Sequence, residues 1–323
     1  MTATDSGLFE AVRAGCASVA RQSRSVVVDE AAIPAYAASL SFAGLPEPAY
    51  DREHHFLGDA TATVAYVLSL DAVNFGSGWF PLLRKRPGMS GYATVASSLA
   101  DRFRSHGAWS AAELRDLSPE TCAGIFGQEP DGPVADLLAL FTHALNDLGA
   151  WLEVGWGGDW TGPVREANGS AEQLAGLLLE MELFRDVAAY EGLQVPLLKR
   201  AQLTVADLAL AFNGEGFGRF GDLDRLTIFA DNLVPHVLRL DGVLRYDPAL
   251  VARIERGDLI PAGSPEEVEI RAVALRAAEL IVAELGRQGN PTTAARLDFL
   301  LWNRGQVPAY KTHPRHRTRT AFY

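Results

Sequence analysis

The chain has 323 residues, 48% of them hydrophobic and 21% charged. That is enough to bury a large core in one or two domains, and it lies outside the range of disordered or fibrous sequences. A formal net charge of -11 argues against a general nucleic-acid-binding surface, while leaving room for a local basic patch that takes phosphate. Cys16 and Cys122 are the only cysteines, too few for a disulfide scaffold or a structural zinc site. Apolar runs stop short of the roughly 20 residues that span a bilayer. The N-terminus MTATDSGLFEAV is too polar and acidic for a signal peptide, so a soluble cytoplasmic protein is expected.

Residues 7–22 read as an amphipathic helix with Leu8, Val12, Cys16 and Val19 on one stripe. SVVVD follows as an extended piece, and Asp29 can cap a second helix to about Leu40. His54-His55 invites a metal reading, but no further ligand cluster stands nearby in the sequence, and an exposed turn is the simpler account. Over residues 61–81, Val64, Leu68 and Asp71 share a helix face, which runs into Asn74, Phe75, Trp79 and Phe80 around Gly76 and Gly78. An acid, an amide and aromatic rings at one helix exit suit a planar ligand, the rings stacking on it and the polar groups reading its edge. They equally suit a satisfied core aspartate beside an aromatic cluster.

The middle of the chain is helical scaffolding. Ser110–Glu113 and Ser170–Gln173 are capping-box patterns, and Ser118-Pro119 sets a cap before a first-turn proline. Leu137, Leu138, Phe141, Leu145, Leu148 and Leu152 predict a long buried helix. Residues 154–169, rich in glycine and tryptophan, are expected to be a loop that forms a lobe boundary or a lid.

From Leu197 to Phe212 the apolar residues return to helical spacing, with Lys199 and Arg200 in the first turn. Cations at a helix N-terminus oppose its dipole, so this pair is either snorkelling at the surface or part of an anion site. The glycines of NGEGFGRFGD (213–222) follow a helix rather than a strand, which excludes a dinucleotide-binding fingerprint. Asp231 then lies in LTIFADNLVPHVL, where a carboxylate must find partners or a chemical task, because burying an unpaired charge costs several kcal/mol. Asp247-Pro248, Ser264-Pro265-Glu266-Glu267 and Asn290-Pro291 announce three more helices. After Asp298 there is no acid, and KTHPRHRTRTAFY supplies Lys311, His313, Arg315, His316, Arg317 and Arg319. Such a cluster suits an anion, arginine's planar fork matching phosphate. The terminal Phe322-Tyr323 favours a docked tail over a free one. Recurrent caps and helical periodicity predict a mainly α, single compact multi-helix domain over residues 1–323, with minor strands near Val26 to Val28 and Phe184 to Tyr190.

Together, DAVNF (71–75), VPLLKRAQLTVADL (195–208), LTIFADNLVP (226–235), GSPEEVEIRA (263–272), LDFLLW (297–302) and HPRHRTRTAFY (313–323) resemble the queuosine salvage family, the queuosine 5'-phosphate N-glycosylases, nearly end to end. The chain departs from the family's usual pattern at Gly76, Ser77, Asn232 and His236, where detailed base contacts are concerned. The resemblance implies an all-helical fold with some likeness to DNA glycosylases. It also implies hydrolysis of queuosine 5'-monophosphate to queuine and ribose 5-phosphate, with no metal or redox cofactor and no direct nucleic-acid partner. It matches Asp231 to the catalytic position. Asp71 and Asn74 then suit the guanine-like edge, and Phe75, Trp79 and Phe229 are candidate substrate contacts. Lys199, Arg200, Arg315, His316 and Arg317 are candidates for the 5'-phosphate. Two rivals stand beside this reading: a metal-dependent nucleotide phosphohydrolase using His54, His55, Asp51 or Asp59, and a non-catalytic helical binder of a nucleotide or base.

Overall fold

The computed structural model describes residues 7–323; the first half of the N-terminal stretch read above as unsuited to a signal peptide lies outside them. The protein is mainly α. In chain order the elements are α1 Leu8–Gln22, β1 Val26–Val28, α2 Ile33–Ser39, α3 Ala60–Ala72, α4 Gly91–His106, α5 Ala111–Arg115, α6 Pro119–Ile125, α7 Ala135–Trp156, α8 Gly162–Glu166 and α9 Ala171–Leu178. They continue with β2 Val187–Tyr190, β3 Leu193–Pro196, α10 Lys199–Ala211, α11 Val234–Leu240, β4 Leu244–Tyr246, α12 Pro248–Glu255, α13 Pro265–Arg287, α14 Ala294–Gly305 and α15 Pro308–Lys311. No helix among the described residues is long and apolar enough to cross a membrane. The residues group into two compact units. The first comprises the described part of Met1–Pro48 with Asp186–Lys199 and Asp224–Arg319; the second comprises Ala49–Arg185, Arg200–Leu223 and Thr320–Tyr323.

In the first unit, α13 is the central rod, packing on α1, α2, α11 and β1. Its start follows from local chemistry: Ser264 Oγ accepts from Glu267 N, and Pro265 occupies the first turn, where its missing N–H costs nothing. Its N-terminal half is buried on every side, from Val268 to Leu275. On α1 the inward stripe is Phe9, Val12, Cys16 and Val19; Phe9 rather than Leu8 takes the first inward position. Strand β1 pairs antiparallel with β4, and β2 with β3. The β2–β3 turn at Glu191 and Gly192 has both residues at positive φ, the pattern of a tight hairpin turn whose twist matches its strands. Two expectations shift in detail: Asn290-Pro291 precedes the helix, which begins at Ala294 with Thr293 as its cap, and Asp29 leads into a short 3-10 turn without capping it by its side chain.

In the second unit, α7 is buried along Leu137, Leu138, Phe141, Leu145, Leu148 and Leu152 and packs on α3, α5, α6 and α8. A Cβ at Gly149 would lie 2.5 Å from Ala111 O, so only glycine lets α5 approach this closely. Ser110 and Glu113 form the expected reciprocal capping box. The stretch 154–169 is not the loop its composition suggests: α7 continues to Trp156 and α8 occupies Gly162–Glu166, because Gly157 and Gly158 supply the left-handed turn between two short helical ends. It lies wholly inside the second unit. The glycine-rich stretch 213–222 has a structural task there. The Asp222 carboxylate accepts from Ala171 N (2.6 Å), Glu172 N (3.1 Å) and Ser170 Oγ (3.0 Å), satisfying the free amides that open α9.

Glu269 is the clearest fold-holding acid. It is 1% exposed, and its Oε2 accepts from the amides of Arg24, Ser25 and Val26 at 2.6–3.1 Å while Oε1 accepts from Tyr190 Oη at 2.8 Å. Glu269→Gln turns one acceptor into a donor facing donors. We expect it to lower unfolding free energy by about 2–4 kcal/mol, read from the midpoint of urea denaturation at unchanged m-value.

Candidate functional site

The Asp231 segment is built from the first unit's own backbone. Between Leu226 and α11 the chain is irregular, so its peptide groups need side-chain partners. Asp298 Oδ1, on α14, accepts from Phe229 N at 2.9 Å. Arg271 Nε, on α13, donates to Ala230 O at 2.9 Å. Asp231 Oδ1 accepts from Leu233 N at 2.7 Å, the local turn that short acids favour. The backbone is thereby held just ahead of Asp231 and the carboxylate just after it. Asp231 remains partly exposed while Leu226, Ile228, Ala230 and Leu233 are buried.

Arg271 is itself fixed. Its Nη1 and Nη2 meet Asp186 Oδ1 and Oδ2 at 2.9 and 2.5 Å, a bidentate pair, with both side chains almost wholly buried. Glu267 lies 3.7 Å away on the same helix face. Asp186 does three further things: its backbone oxygen accepts from Leu197 N and Leu198 N, and its Oδ2 accepts from Lys199 N. Leu198 sits at φ +55, a region that costs a bulky side chain energy, and Asp186 holds the backbone on either side of it. So the carboxylate opposite Arg271 also serves the free amides that open α10.

Asp298 is buried, and its acid group is pushed up to about 7 by burial and by the neighbouring Asp231 charge, against the Phe229 amide and the Lys199 cation. Lys199 is 7% exposed, so it is no surface snorkel. In the tail, Ile260 N donates to Arg317 O at 2.8 Å, which anchors the strand of cations to the first unit. Arg315 and Arg317 are partly exposed, but His316 is buried. Its imidazole is lowered to about 3 by burial, with Arg271, His236 and Arg239 acting the same way. At neutral pH it is uncharged, and it could meet an anion only as a neutral donor. His236, lowered to about 4 chiefly by burial, pairs with Tyr310 O through Nε2.

The second unit gathers the other predicted set. Asp71 is fully buried at the end of α3, and Asn74 Nδ2 donates to its Oδ1 at 3.0 Å. Arg200 reaches the end of α3. Its Nη1 donates to Asp71 O (3.0 Å) and Ala72 O (2.7 Å), its Nη2 to Leu183 O, and its guanidinium stacks on Phe75 and Phe184 at 4.9 and 4.6 Å. The carbonyls that end α3 lack helical partners and carry the negative end of its dipole, which a cation satisfies. Arg200 thus clamps the backbone of Asp71. Phe75 is 2% exposed, edge-on to Phe141 and covered by Arg200. Trp79 is buried beside it in sequence, on a turn where Gly76 adopts φ +103 and its amide donates to Tyr323 O at 3.0 Å. The aromatic C-terminus is docked, as its composition suggested.

Asp186, Arg271, Asp298 and Asp207 were not singled out from the sequence. Asp207 lies seven positions after Arg200, on one face of α10. Burial pushes up the hydroxyls of Tyr50, Tyr66 and Tyr92, and the carboxylates of Asp207 and Asp71 push the same way. The signal for Arg271 and Asp298 was a charge set on an apolar helical stripe. The donors of the phosphohydrolase reading do not converge: His54 Nδ1 pairs with Asp51, buried His55 with Tyr92 Oη, and Asp59 caps α3 through Ala62 N. His55 is also not on the exposed turn expected of it, being 7% exposed.

A family model described as queuosine salvage protein matches residues 54–323. A Sphaerobacter thermophilus protein named queuosine 5'-phosphate N-glycosylase/hydrolase is 38% identical over 94% of this chain and 95% of its own length. Proteins of the same name from Nematostella vectensis and Mus musculus are 30% and 32% identical, over 94% and 66% of this chain and 96% and 66% of their own lengths.

The buried pair generates a test in two parts. Arg271→Met leaves Asp186 charged and alone, and should cost about 3–5 kcal/mol of stability. Adding Asp186→Leu should recover much of that in a thermal melt, since an apolar pair can replace a buried ion pair. It should not recover the site, because Ala230 O and Lys199 N still lack their partners.

Proposed function

The chain belongs to the queuosine salvage protein family, and from that premise we propose that it hydrolyses the N-glycosidic bond of queuosine 5'-monophosphate, releasing queuine and ribose 5-phosphate. Residues 1–323 act on this reading as one catalytic domain, in the cytoplasm, on a free nucleotide rather than on nucleic acid. The observation that carries the reaction is the fixed presentation of Asp231, a partly exposed carboxylate whose segment is pinned by Asp298, Arg271 and the Leu233 amide.

The leaving base explains why such a group is needed. A purine departs more easily when N7 is protonated, and a 7-deazapurine has carbon there. The barrier must then be lowered at the sugar. A fixed carboxylate stabilises the positive charge that develops at C1' as the bond to the base stretches, and it directs water to that carbon. The water oxygen joins C1' as the bond from C1' to the base nitrogen breaks, one of the water protons leaves on that nitrogen, and no electrons are exchanged, so the chemistry requires no redox group. Asp71, with Asn74 on its Oδ1, is assigned to the guanine-like edge, its carboxylate accepting from N1–H and the exocyclic amine. Trp79 and Phe229 are assigned to the base, leaving Phe75 and Arg200 in support. Lys199, Arg315 and Arg317 are assigned to the 5'-phosphate.

The direct test is to incubate the protein with queuosine 5'-monophosphate and identify products by mass. Queuine and ribose 5-phosphate are expected; release of inorganic phosphate would favour a phosphohydrolase, and binding without turnover a carrier. Asp231→Asn keeps the shape and most hydrogen bonding. It should bind substrate yet lose on the order of a hundredfold or more in single-turnover rate, because the lost charge matters most in the transition state. Near-normal cleavage would move the chemistry to another acid. Asp71→Ala should weaken queuine binding by more than the roughly 0.5–1.5 kcal/mol of a neutral hydrogen bond, checked by calorimetric titration. The nucleotide should be preferred over the nucleoside, and Lys199→Met should narrow that preference; equal turnover of the two by the unaltered protein would remove the phosphate assignment.

A further inference from the structure

We propose that Asp298 is a positioning residue for Asp231: its carboxyl group fixes the Phe229 peptide from which the Asp231 carboxylate is presented. This rests on the glycosylase reading given above. Asp298 projects from α14 among buried neighbours and is 6% exposed. Its Oδ1 takes the Phe229 amide at 2.9 Å, two residues before Asp231, on a stretch with no helix or strand to hold it. Arg271 takes the next carbonyl, Ala230 O. A carboxyl and a guanidinium from separate helices thus hold consecutive residues, which is the kind of support that keeps a reacting group within its productive geometry.

The second half of the role is electrostatic. Asp231 and Lys199 are the charged groups that act on the Asp298 carboxyl, the first raising it and the second lowering it, while burial raises it most, to about 7. Several titratable groups on the packed elements are engaged or neutral. On α13, Arg271 is paired with Asp186 and approached by Glu267. Just past α11, Asp241 is paired with Arg304 of α14 and with Tyr310; on the helix itself, Arg239 lies over the Tyr246 ring and His236 is lowered to about 4. Below about pH 7 Asp298 carries a proton, still accepts from the Phe229 amide, and leaves Asp231 as the lone carboxylate. As pH rises through that value, a second negative charge develops against Asp231 and pushes it from the position its segment defines. The rate at saturating substrate should fall over that interval.

The experiment compares the parent with Asp298→Asn, which keeps an acceptor for Phe229 N but cannot ionise, and Asp298→Ala, which removes both. Queuosine 5'-monophosphate turnover is measured from pH 5 to 9. In parallel, the Asp231 carboxyl is titrated by 13C NMR. The Asn variant should keep most of the parent's kcat at pH 6 and lose the fall in kcat near pH 7, and its Asp231 titration should lose the influence of a second acid. The Ala variant should lose about tenfold or more in kcat, as small misplacements of a reacting group do, with KM changed less than kcat. If the parent cleaves and the Asn variant keeps the parent's fall near pH 7, or if Ala keeps the parent's kcat, the positioning role is overturned. The Asn comparison decides this even where the Ala variant does not fold. A parent that leaves the nucleotide intact at every pH overturns the reaction assigned above, and the NMR titration then decides the role of Asp298 alone. An Asp231 titration identical in the parent and Asp298→Asn overturns it.

Discussion

The first unit depends on the contact between Asp186 and Arg271, and what that contact touches explains why. A buried carboxylate and guanidinium are costly to take out of water, and they pay their way only when geometry and extra hydrogen bonds are good. Here the pair is bidentate, and each partner spends its remaining capacity on backbone. Asp186 takes the Lys199 amide at the start of α10, with its carbonyl taking Leu197 and Leu198. Arg271 takes Ala230 O. One ion pair therefore sets the start of the Lys199 helix and the path of the Asp231 segment together. A hydrophobic replacement could match its stability but not this coupling of two backbone positions.

The acids of the protein divide by what surrounds them. Glu269 and Asp222 face rows of backbone amides and act as fasteners. Asp298 faces one amide and another carboxylate, so burial and the like charge drive it toward the neutral form. Asp231 is the partly exposed member, with one oxygen occupied by the Leu233 amide. Environment gives the same functional group three tasks, and burial together with neighbouring charge, rather than residue type, decides between them.

Arg200 makes the corresponding point for cations. Adjacent to Lys199 in sequence, it spends its donors on carbonyls that end α3 and stacks its plane on two phenylalanines. Lys199 is bound to the first unit through its backbone amide, which donates to Asp186. Arginine's fork suits several carbonyls at once, whereas a lysine offers a point charge. Two neighbouring cations in one helical turn consequently serve different ends.

Much of the architecture was determined by local signals in the sequence. The caps at Ser110, Ser118, Ser170 and Ser264 and the apolar period of α1, α7, α10 and α13 place those helices close to where they lie, because caps and helical spacing act within a few residues. The family likeness was carried by short motifs scattered from Asp71 to Tyr323, and Asp231 stood out as a lone acid in an apolar run. Four things were decided only in three dimensions. Asp186 and Arg271 are 85 residues apart, and nothing local to either predicts the other. Phe75, Arg200 and His316 carry residue types that suit ligands, yet burial turns the first into a core ring, the second into a clamp and the third into an uncharged imidazole. Residues 154–169 have the composition of a loop, yet packing on α7 and α8 draws half of them into helix. The task of Asp298 depends on how far it stands from Asp231 and how little water reaches it, and distance and solvation exist only in the folded chain.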